Sequence, residues 1–222
     1  MQTVTMIDTI GGSAHNVPAG TPRVAGYVTG SGDVPWSAAD WSRFRAAAQV
    51  RIAQAPGTDP ITADVLDVET GAAMPADSPG WILSRIAAGY TWSVIYGTAG
   101  TLAAVRRALI AAGPEGWWYG HVYCWLAEWS LSEEQAVRVL GTEVAGMTCV
   151  AAQWASPSSN PGTLVPGGNG ATLAAANLDL SICDAAWRPG IVTPRQQETG
   201  YLVTGTYSGR VVRSDDGGKT WA

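Results

Sequence analysis

The stretch ADVLDVET, residues 63–70, is a short apolar run that carries two acids, Asp67 and Glu69, near its end. In a β-strand alternate side chains share a face, so Val65, Asp67 and Glu69 would lie on one side. The two acids would then emerge side by side, with Cβ atoms roughly 6.5–7 Å apart. Placing both on the inner face of a buried strand costs desolvation and repulsion, which a protein rarely tolerates without a use. The alternative is a strand end at the rim with both acids in water.

Apolar runs on both sides of this stretch predict seven further β-strands. They cover residues 3–8, 23–30, 49–55, 92–97, 121–129, 149–156 and 178–183. Helices are predicted between several of them, because Ser37 to Asp40 and Ser132 to Gln135 have the capping-box pattern. A helix over residues 98–112 would end at Gly113-Pro114. Eight strands that are mostly apolar on both faces predict an α/β fold, a parallel (β/α)-type barrel that lacks some helices.

A doubly wound sheet is the alternative fold. Its phosphate loop would need G-x-G-x-x-G between a strand and a helix, and the sequence from Gly30 to Gly32 does not complete that pattern. In a parallel barrel, functional side chains collect at the C-terminal ends of the strands. Asp8, Asp67 and Glu69 fall at such ends, and Asp179 lies in the last predicted strand. Four acids at one end of a barrel indicate a site more sharply than any one of them.

The composition excludes several classes of function. With 46% apolar and 14% charged residues, the 222-residue chain is expected to be globular with a sizeable core. The net charge of −5 is not that of a nucleic-acid-binding protein. No apolar run approaches the ~20 uncharged residues of a membrane span, and no signal peptide is recognisable. Eleven Trp against one Phe is a composition that stacks on sugar rings as well as filling cores.

Cysteine and histidine usage argues against a metal or cofactor. Cys124, Cys149 and Cys183 are far apart and each falls in a predicted strand, as small buried hydrophobes do. His15 and His121 are the only histidines, so neither a zinc site nor a Ser-His-Asp triad has its usual parts. We therefore predict no metal and no cofactor.

Seven short pieces in a fixed order resemble the glycoside-hydrolase-like barrels of actinobacteria and their phages, which are similar in turn to the family 25 (Chalaropsis-type) lysozymes. These pieces are Met6-Ile7-Asp8, Val24 to Tyr27, Asp67-Val68-Glu69, Val94 to Tyr96, Trp125 to Trp129, Ala152 to Ala155 and Leu178 to Leu180. The resemblance covers about residues 3–188. It implies an irregular TIM-like barrel that acts on the β-1,4 bond between N-acetylmuramic acid and N-acetylglucosamine in peptidoglycan.

The resemblance also implies roles for individual residues. Glu69 would be the general acid, held protonated by burial and by the charge of Asp67. Asp67, Asp8 and Asp179 would orient groups and stabilise charge. The residues expected to contact the glycan at the barrel's open end are Tyr27, Tyr96, Trp129, Gln153 and Trp154.

Residues 189–222 are predicted to be a separate linker and β-hairpin, after a barrel over residues 1–188. Ser214 to Trp221 matches the pattern S-x-D-x-G-x-T-W and resembles the Asp boxes of sialidase-type propeller blades. A propeller needs several copies, so Asp216 and Trp221 are expected to be turn residues. Because a lone hairpin is marginally stable, it should dock on the barrel, on a second copy of the chain or on a virion partner.

Two functions stay open on the sequence alone. The first is a muramidase-like hydrolase of the cell wall, either an endolysin or a virion-associated enzyme. The second is a non-catalytic virion structural or glycan-binding protein, a tail or capsid component that uses the barrel as a scaffold. The single Asp box favours the second, as does the run from Asp8 to Gly12, where the lysozymes carry Asp-x-Ser and a tryptophan-bearing loop. Both predict a location in the virion or at the cell wall, and otherwise in the cytoplasm until lysis.

Overall fold

The computed structural model describes residues 1–29, 33–55, 57, 62–114 and 116–189. Within these ranges, nine β-strands belong to one sheet, and five α-helices lie between them. The strands are β1 (Thr3–Thr9), β2 (Arg23–Thr29), β3 (Ala48–Ala53), β4 (Val65–Asp67), β5 (Ser93–Gly97), β6 (Val122–Ala127), β7 (Glu143–Val144), β8 (Met147–Ala155) and β9 (Asp179–Asp184). The helices are α1 (Ala38–Arg43), α2 (Ser78–Ala87), α3 (Ala99–Ala112), α4 (Glu133–Val139) and α5 (Leu173–Ala176). The predicted C-terminal hairpin lies outside the described residues.

Eight of these strands close into a barrel. The neighbours run in the order β6-β5-β4-β3-β2-β1-β9-β8, and β8 pairs again with β6 to complete the ring. β1 to β6 and β8 are parallel to one another, whereas β9 is antiparallel to both of its neighbours. β7 forms a short hairpin with β8. The predicted barrel is therefore confirmed, but its last strand does not have the parallel direction that we expected.

β9 runs backwards because the connection before it stays at one end of the barrel. β8 ends at Ala155, and the only α-helix described between β8 and β9 is the four-residue α5. The end of this connection is bonded to the end of β1 and the loop after it, since Thr9 Oγ1 donates to Asn177 O and Asn16 Nδ2 donates to Ala176 O, both at 2.7 Å. β9 therefore starts beside the end of β8. This places Asp179, the first residue of β9, at the end where the parallel strands finish. We call this end the barrel mouth.

The helices begin where local capping signals predict them. Ser37 Oγ accepts a hydrogen bond from Asp40 N at 3.2 Å, and Ser132 Oγ accepts one from Gln135 N at 3.3 Å. Each bond satisfies a main-chain donor that a helix N-terminus leaves unpaired. None of the described helices has the length and apolar character that crossing a membrane requires.

The apolar residues form an inner and an outer layer. One cluster draws on the barrel strands and on nearby loops, without helix residues, and fills the interior. Two other clusters combine strand and helix residues and lie outside the barrel. Side chains alternate between the two layers along each strand. Met6, Val65 and Val94 belong to the inner cluster. Two positions further toward the mouth on the same strands lie Asp8, Asp67 and Tyr96.

The three cysteines are buried and form no disulfide, as predicted. Cys124 on β6 and Cys149 on β8 are register partners in an outer cluster. Cys183 on β9 lies in the inner cluster. They act as small apolar core residues.

Candidate functional site

The structure brings the four predicted acids together at the barrel mouth. Asp8 on β1 and Asp179 on β9 are directly opposite each other in the antiparallel ladder. Such partners have Cβ atoms roughly 4.5–5.5 Å apart, so two like side chains share one face at short range. Asp8 and Asp67 are 6% and 0% exposed, Asp179 is half-buried and Glu69 is exposed.

Asp67 and Glu69 do not continue one strand, because β4 ends at Asp67. The chain turns immediately afterwards. Ala72 N donates to Glu69 O at 3.0 Å, and Ala73 N donates to Asp67 O at 3.1 Å. One acid is therefore enclosed in the barrel while the other lies in the turn. This outcome falls between the two arrangements that the sequence suggested, both acids buried or both in water.

Asp67 is held by Gln54, a buried residue that the sequence reasoning did not single out. Gln54 Nε2 donates to Asp67 Oδ2 at 3.4 Å and to Asp33 Oδ2 at 2.6 Å. Asp33 N in turn donates to Gln54 Oε1 at 3.5 Å. Asp33 thereby adds a fifth acid near the mouth. The sequence feature that could have identified Gln54 as a site residue is its position, an amide side chain at the end of an apolar predicted strand.

Two further hydrogen bonds join side chains from four strands inside the barrel. The Tyr96 hydroxyl on β5 donates to Gln153 Oε1 on β8 at 2.5 Å. Trp125 Nε1 on β6 donates to Ser181 Oγ on β9 at 3.0 Å. The rings of Tyr96 and Trp125 meet edge to face with centroids 5.0 Å apart. Each bond links two strands that share one neighbour in the ring, β5 with β8 around β6 and β6 with β9 around β8. Ser181 is a second residue that the sequence reasoning missed.

Burial is the largest cause of the raised pKa of each buried acid. It raises the pKa of Asp67 to about 8, with added repulsion from Glu69 and Asp33, against the hydrogen bond from Gln54. Burial also raises the pKa of Asp179 to about 7. The pKa of Asp8 lies well above its usual range because of burial and then the charges of Asp179 and Asp67. The mouth therefore holds carboxyls that stay protonated at pH values at which an exposed aspartate is already ionised.

Glu69 has a different environment. Its pKa is raised by burial first and by the charge of Asp33 second. The residue has a large exposed area, but it lies beside the other mouth residues, so its carboxyl is partly shielded from water. The charge that raises the pKa of Glu69 further is that of Asp33. The sequence argument relied instead on the charge of the neighbouring Asp67.

Among the described residues, three buried polar atoms at the mouth have no hydrogen-bond partner. They are Asp8 Oδ2, Asp67 Oδ1 and Trp129 Nε1. Buried polar atoms are nearly always paired, because an unpaired one costs about 1–3 kcal/mol. Two carboxyl oxygens and one indole N–H are suited to a ligand rich in hydroxyl and amide groups.

The predicted glycan-contacting residues divide between the two faces of the barrel wall. Tyr27, Tyr96 and Trp129 belong to or pack against the inner cluster. After burial, the charges of Asp67 and Asp8 are the next causes that raise the pKa of Tyr27. Gln153 also faces inward, through its bond to Tyr96.

Trp154 follows Gln153 on β8 and points to the opposite side. It packs against both outer clusters, so the structure does not bring it together with the acids. The alternation of side chains along a strand is the physical reason.

The acid cluster is not arranged as a metal site. Over the part of the chain that the structure describes, no group of three or more His, Cys, Asp or Glu residues could hold a metal ion. The arrangement is suited to proton donation and to hydrogen bonding of a polar ligand.

No family model matches this chain, and no curated protein or solved structure matches it either. The function therefore has to be inferred from the residues at the barrel mouth.

Proposed function

We propose that this protein is a glycoside-hydrolase-like barrel that acts on bacterial cell-wall peptidoglycan, in the manner of a muramidase. The supporting observation is the group of enclosed carboxyls with raised pKa values beside one exposed carboxyl. Glycoside hydrolysis uses a carboxylic acid that is still protonated near neutral pH, together with a second carboxyl close by. The unpaired atoms at the mouth fit the hydroxyl and acetamido groups of the proposed substrate.

Glu69 is the proposed general acid. It is the most exposed of the four acids, so it can reach the oxygen of a glycosidic bond. The shielding and the Asp33 charge that raise its pKa help it to retain the proton that it must donate. Asp67, Asp8 and Asp179 orient the sugar through hydrogen bonds, and the fraction of them that is ionised stabilises the positive charge that develops on its ring. Tyr27, Tyr96, Trp129 and Gln153 are the proposed glycan contacts.

The proposal extends to the type of barrel. We infer an irregular TIM-like (β/α) barrel in which α1, α2, α3 and α4 follow β2, β4, β5 and β6. The parallel direction of seven strands supports this classification, and the acids lie at the end of the strands where such barrels carry their sites. The antiparallel β9 is the main departure from a regular (β/α) barrel.

Turbidity clearing of purified cell walls tests the function. We expect the wild type to clear walls and Glu69→Gln to clear them at least about 100-fold more slowly, the usual loss on removing a general acid. Glu143→Gln changes an exposed acid on β7 and is the matched control, with clearing equal to that of the wild type. Equal clearing by wild type and Glu69→Gln would contradict the role of Glu69. Failure of the wild type to clear walls between pH 4 and 9 would contradict the hydrolase.

Wall binding without clearing would instead support the second function, a glycan-binding or structural barrel. In that case the double variant Asp67→Asn and Glu69→Gln should still sediment with intact walls, whereas Trp129→Ala should not. Attachment to a virion or to a second copy through the C-terminal hairpin stays a prediction, because that segment lies outside the described residues.

A further inference from the structure

Two of the three buried cysteines face each other across the pair of strands that closes the barrel. Cys124 on β6 and Cys149 on β8 are register partners, and the pairing of β6 with β8 completes the ring. Both belong to the same outer apolar cluster, so they lie on the same side of the barrel wall. Cys183 belongs to the inner cluster, where its Sγ lies 3.8 Å from Met6 Sδ. Of the three cysteines, Cys124 and Cys149 are therefore the two that share one face of neighbouring strands.

The spacing of these two residues suits a disulfide. Neighbouring strands lie roughly 4.7–4.9 Å apart, so the Cα atoms of register partners are separated by about this distance. Disulfide-bonded cysteines usually have Cα atoms ~4.4–6.8 Å apart. Cys124 and Cys149 can therefore be linked without a change in the strand pairing.

The two thiols also interact with each other. A hydrogen bond between them is the first cause that raises the pKa of Cys124 and lowers the pKa of Cys149. The thiol of Cys149 in turn lies 3.2 Å from Ala151 O, to which it donates. Because the thiolate is the reactive form of cysteine, Cys149 is the better nucleophile of the pair.

The pair is covered by the segment that joins β6 to β8. Cys124 and Cys149 are 0% and 1% exposed, and α4 and β7 pack over the same cluster. Gly141 N donates to Cys149 O at 2.8 Å, and Cys149 N donates to Thr142 O at 2.9 Å. A small oxidant therefore reaches the thiols while the protein folds, or when the covering segment opens locally.

We propose that Cys124 and Cys149 are a disulfide site that links the closing strands of the barrel covalently in an oxidising environment. Such a bond persists where thiols are not kept reduced. It would restrict the unfolded chain by closing the loop between residues 124 and 149. The inference does not rest on the proposed function.

The oxidant is a small-molecule disulfide, for which oxidised glutathione is the probe. The Cys149 thiolate, after it has released its proton, attacks one glutathione sulfur, and the other glutathione leaves as a thiolate that takes up a proton. Cys124 then loses its proton, and its thiolate attacks the Cys149 sulfur of the mixed disulfide. The second glutathione leaves and is protonated in the same way. Two protein thiols are oxidised to one disulfide, and one glutathione disulfide is reduced to two thiols.

Refolding the full-length protein from urea in oxidised glutathione tests this site. We expect one free thiol to remain, because two of the three free cysteines are consumed. Peptide mapping should link Cys124 to Cys149, and the Tm should rise by roughly 4–16 °C over the reduced protein. Cys183→Ala should keep both the link and the rise in Tm, whereas Cys149→Ala should lose both.

The mapping is made on the wild type, so it stays decisive even if Cys149→Ala does not fold. Three free thiols after oxidation, glutathione adducts alone, or a bond to Cys183 would each overturn the disulfide site. A link between Cys124 and Cys149 that leaves the Tm unchanged or lowers it would overturn its stabilising effect on the closing strands. Wall clearing does not enter these measurements, so their outcome is independent of the proposed function.

Discussion

Replacing Asp67 with asparagine should stabilise the protein increasingly as the pH rises from 4 to 7. In the unfolded chain this carboxyl ionises around its ordinary pKa of 3.8, whereas burial and the charge of Glu69 raise its folded pKa to about 8. Between these values the folded state holds a proton that the unfolded state has released. The wild type therefore loses stability as the pH rises through this window, and the loss is complete above the folded pKa. Asparagine has no ionisable carboxyl, so the variant does not lose folding stability over this pH range.

The size of the effect follows from the width of the window. The interval from the ordinary pKa of 3.8 to pH 7 corresponds to about 4 kcal/mol at ~1.36 kcal/mol per pH unit. Asp67 is 0% exposed, so solvent screening does not reduce this value strongly. For a domain of this size, that free energy corresponds to a rise in Tm of roughly 8–16 °C, at about 2–4 °C per kcal/mol.

Thermal and urea unfolding of the two proteins at pH 4 and pH 7 measures the difference. The amide oxygen of the introduced asparagine can still accept the hydrogen bond from Gln54, and any cost of the substitution that does not depend on pH cancels between the two conditions. Glu143→Gln, at an exposed position, should follow the wild type at both pH values. An advantage of Asp67→Asn that fails to grow between pH 4 and pH 7, or that shrinks, would refute the reasoning. Asparagine cannot supply an ionised carboxylate to stabilise charge on the sugar, so the same variant should also clear walls more slowly, and stability and activity would change in opposite directions.

Three further predictions concern the surroundings of the acids and the end of the chain. Gln54→Leu removes a hydrogen bond that lowers the pKa of Asp67, so a carbon-13 titration of that carboxyl should show a further rise; an unchanged or lower pKa would contradict this. Tyr96→Phe leaves Gln153 Oε1 without its donor and should cost about 1–3 kcal/mol in urea unfolding, whereas the exposed Tyr119→Phe should cost nothing measurable. Truncation after Pro189 should leave a cooperatively folding barrel and remove any oligomer, and equal masses in light scattering would refute an assembly role for the removed segment.

The main elements of the fold follow from local sequence signals. Short runs that are mostly apolar on both faces mark the strands that form the barrel, and the serines at positions 37 and 132 mark where α1 and α4 begin. Hydrophobic pattern and capping operate within a few residues, so they need no knowledge of the rest of the chain. Because these signals are local, Asp8, Asp67 and Glu69 could be assigned to the ends of predicted strands from the sequence alone.

The direction of β9 and the composition of the site depended on the tertiary structure. Asp179 faces Asp8 only because β9 runs antiparallel, and that direction results from the connection that precedes it. Gln54 and Asp33 join the site through contacts between the ends of the neighbouring strands β2, β3 and β4, which no local pattern encodes. The alternation on β8 sends Trp154 outward, although its neighbour Gln153 faces the site. Local sequence therefore determined which segments are strands and helices, whereas pairing and barrel closure decided which side chains meet, because those contacts join residues far apart in the chain.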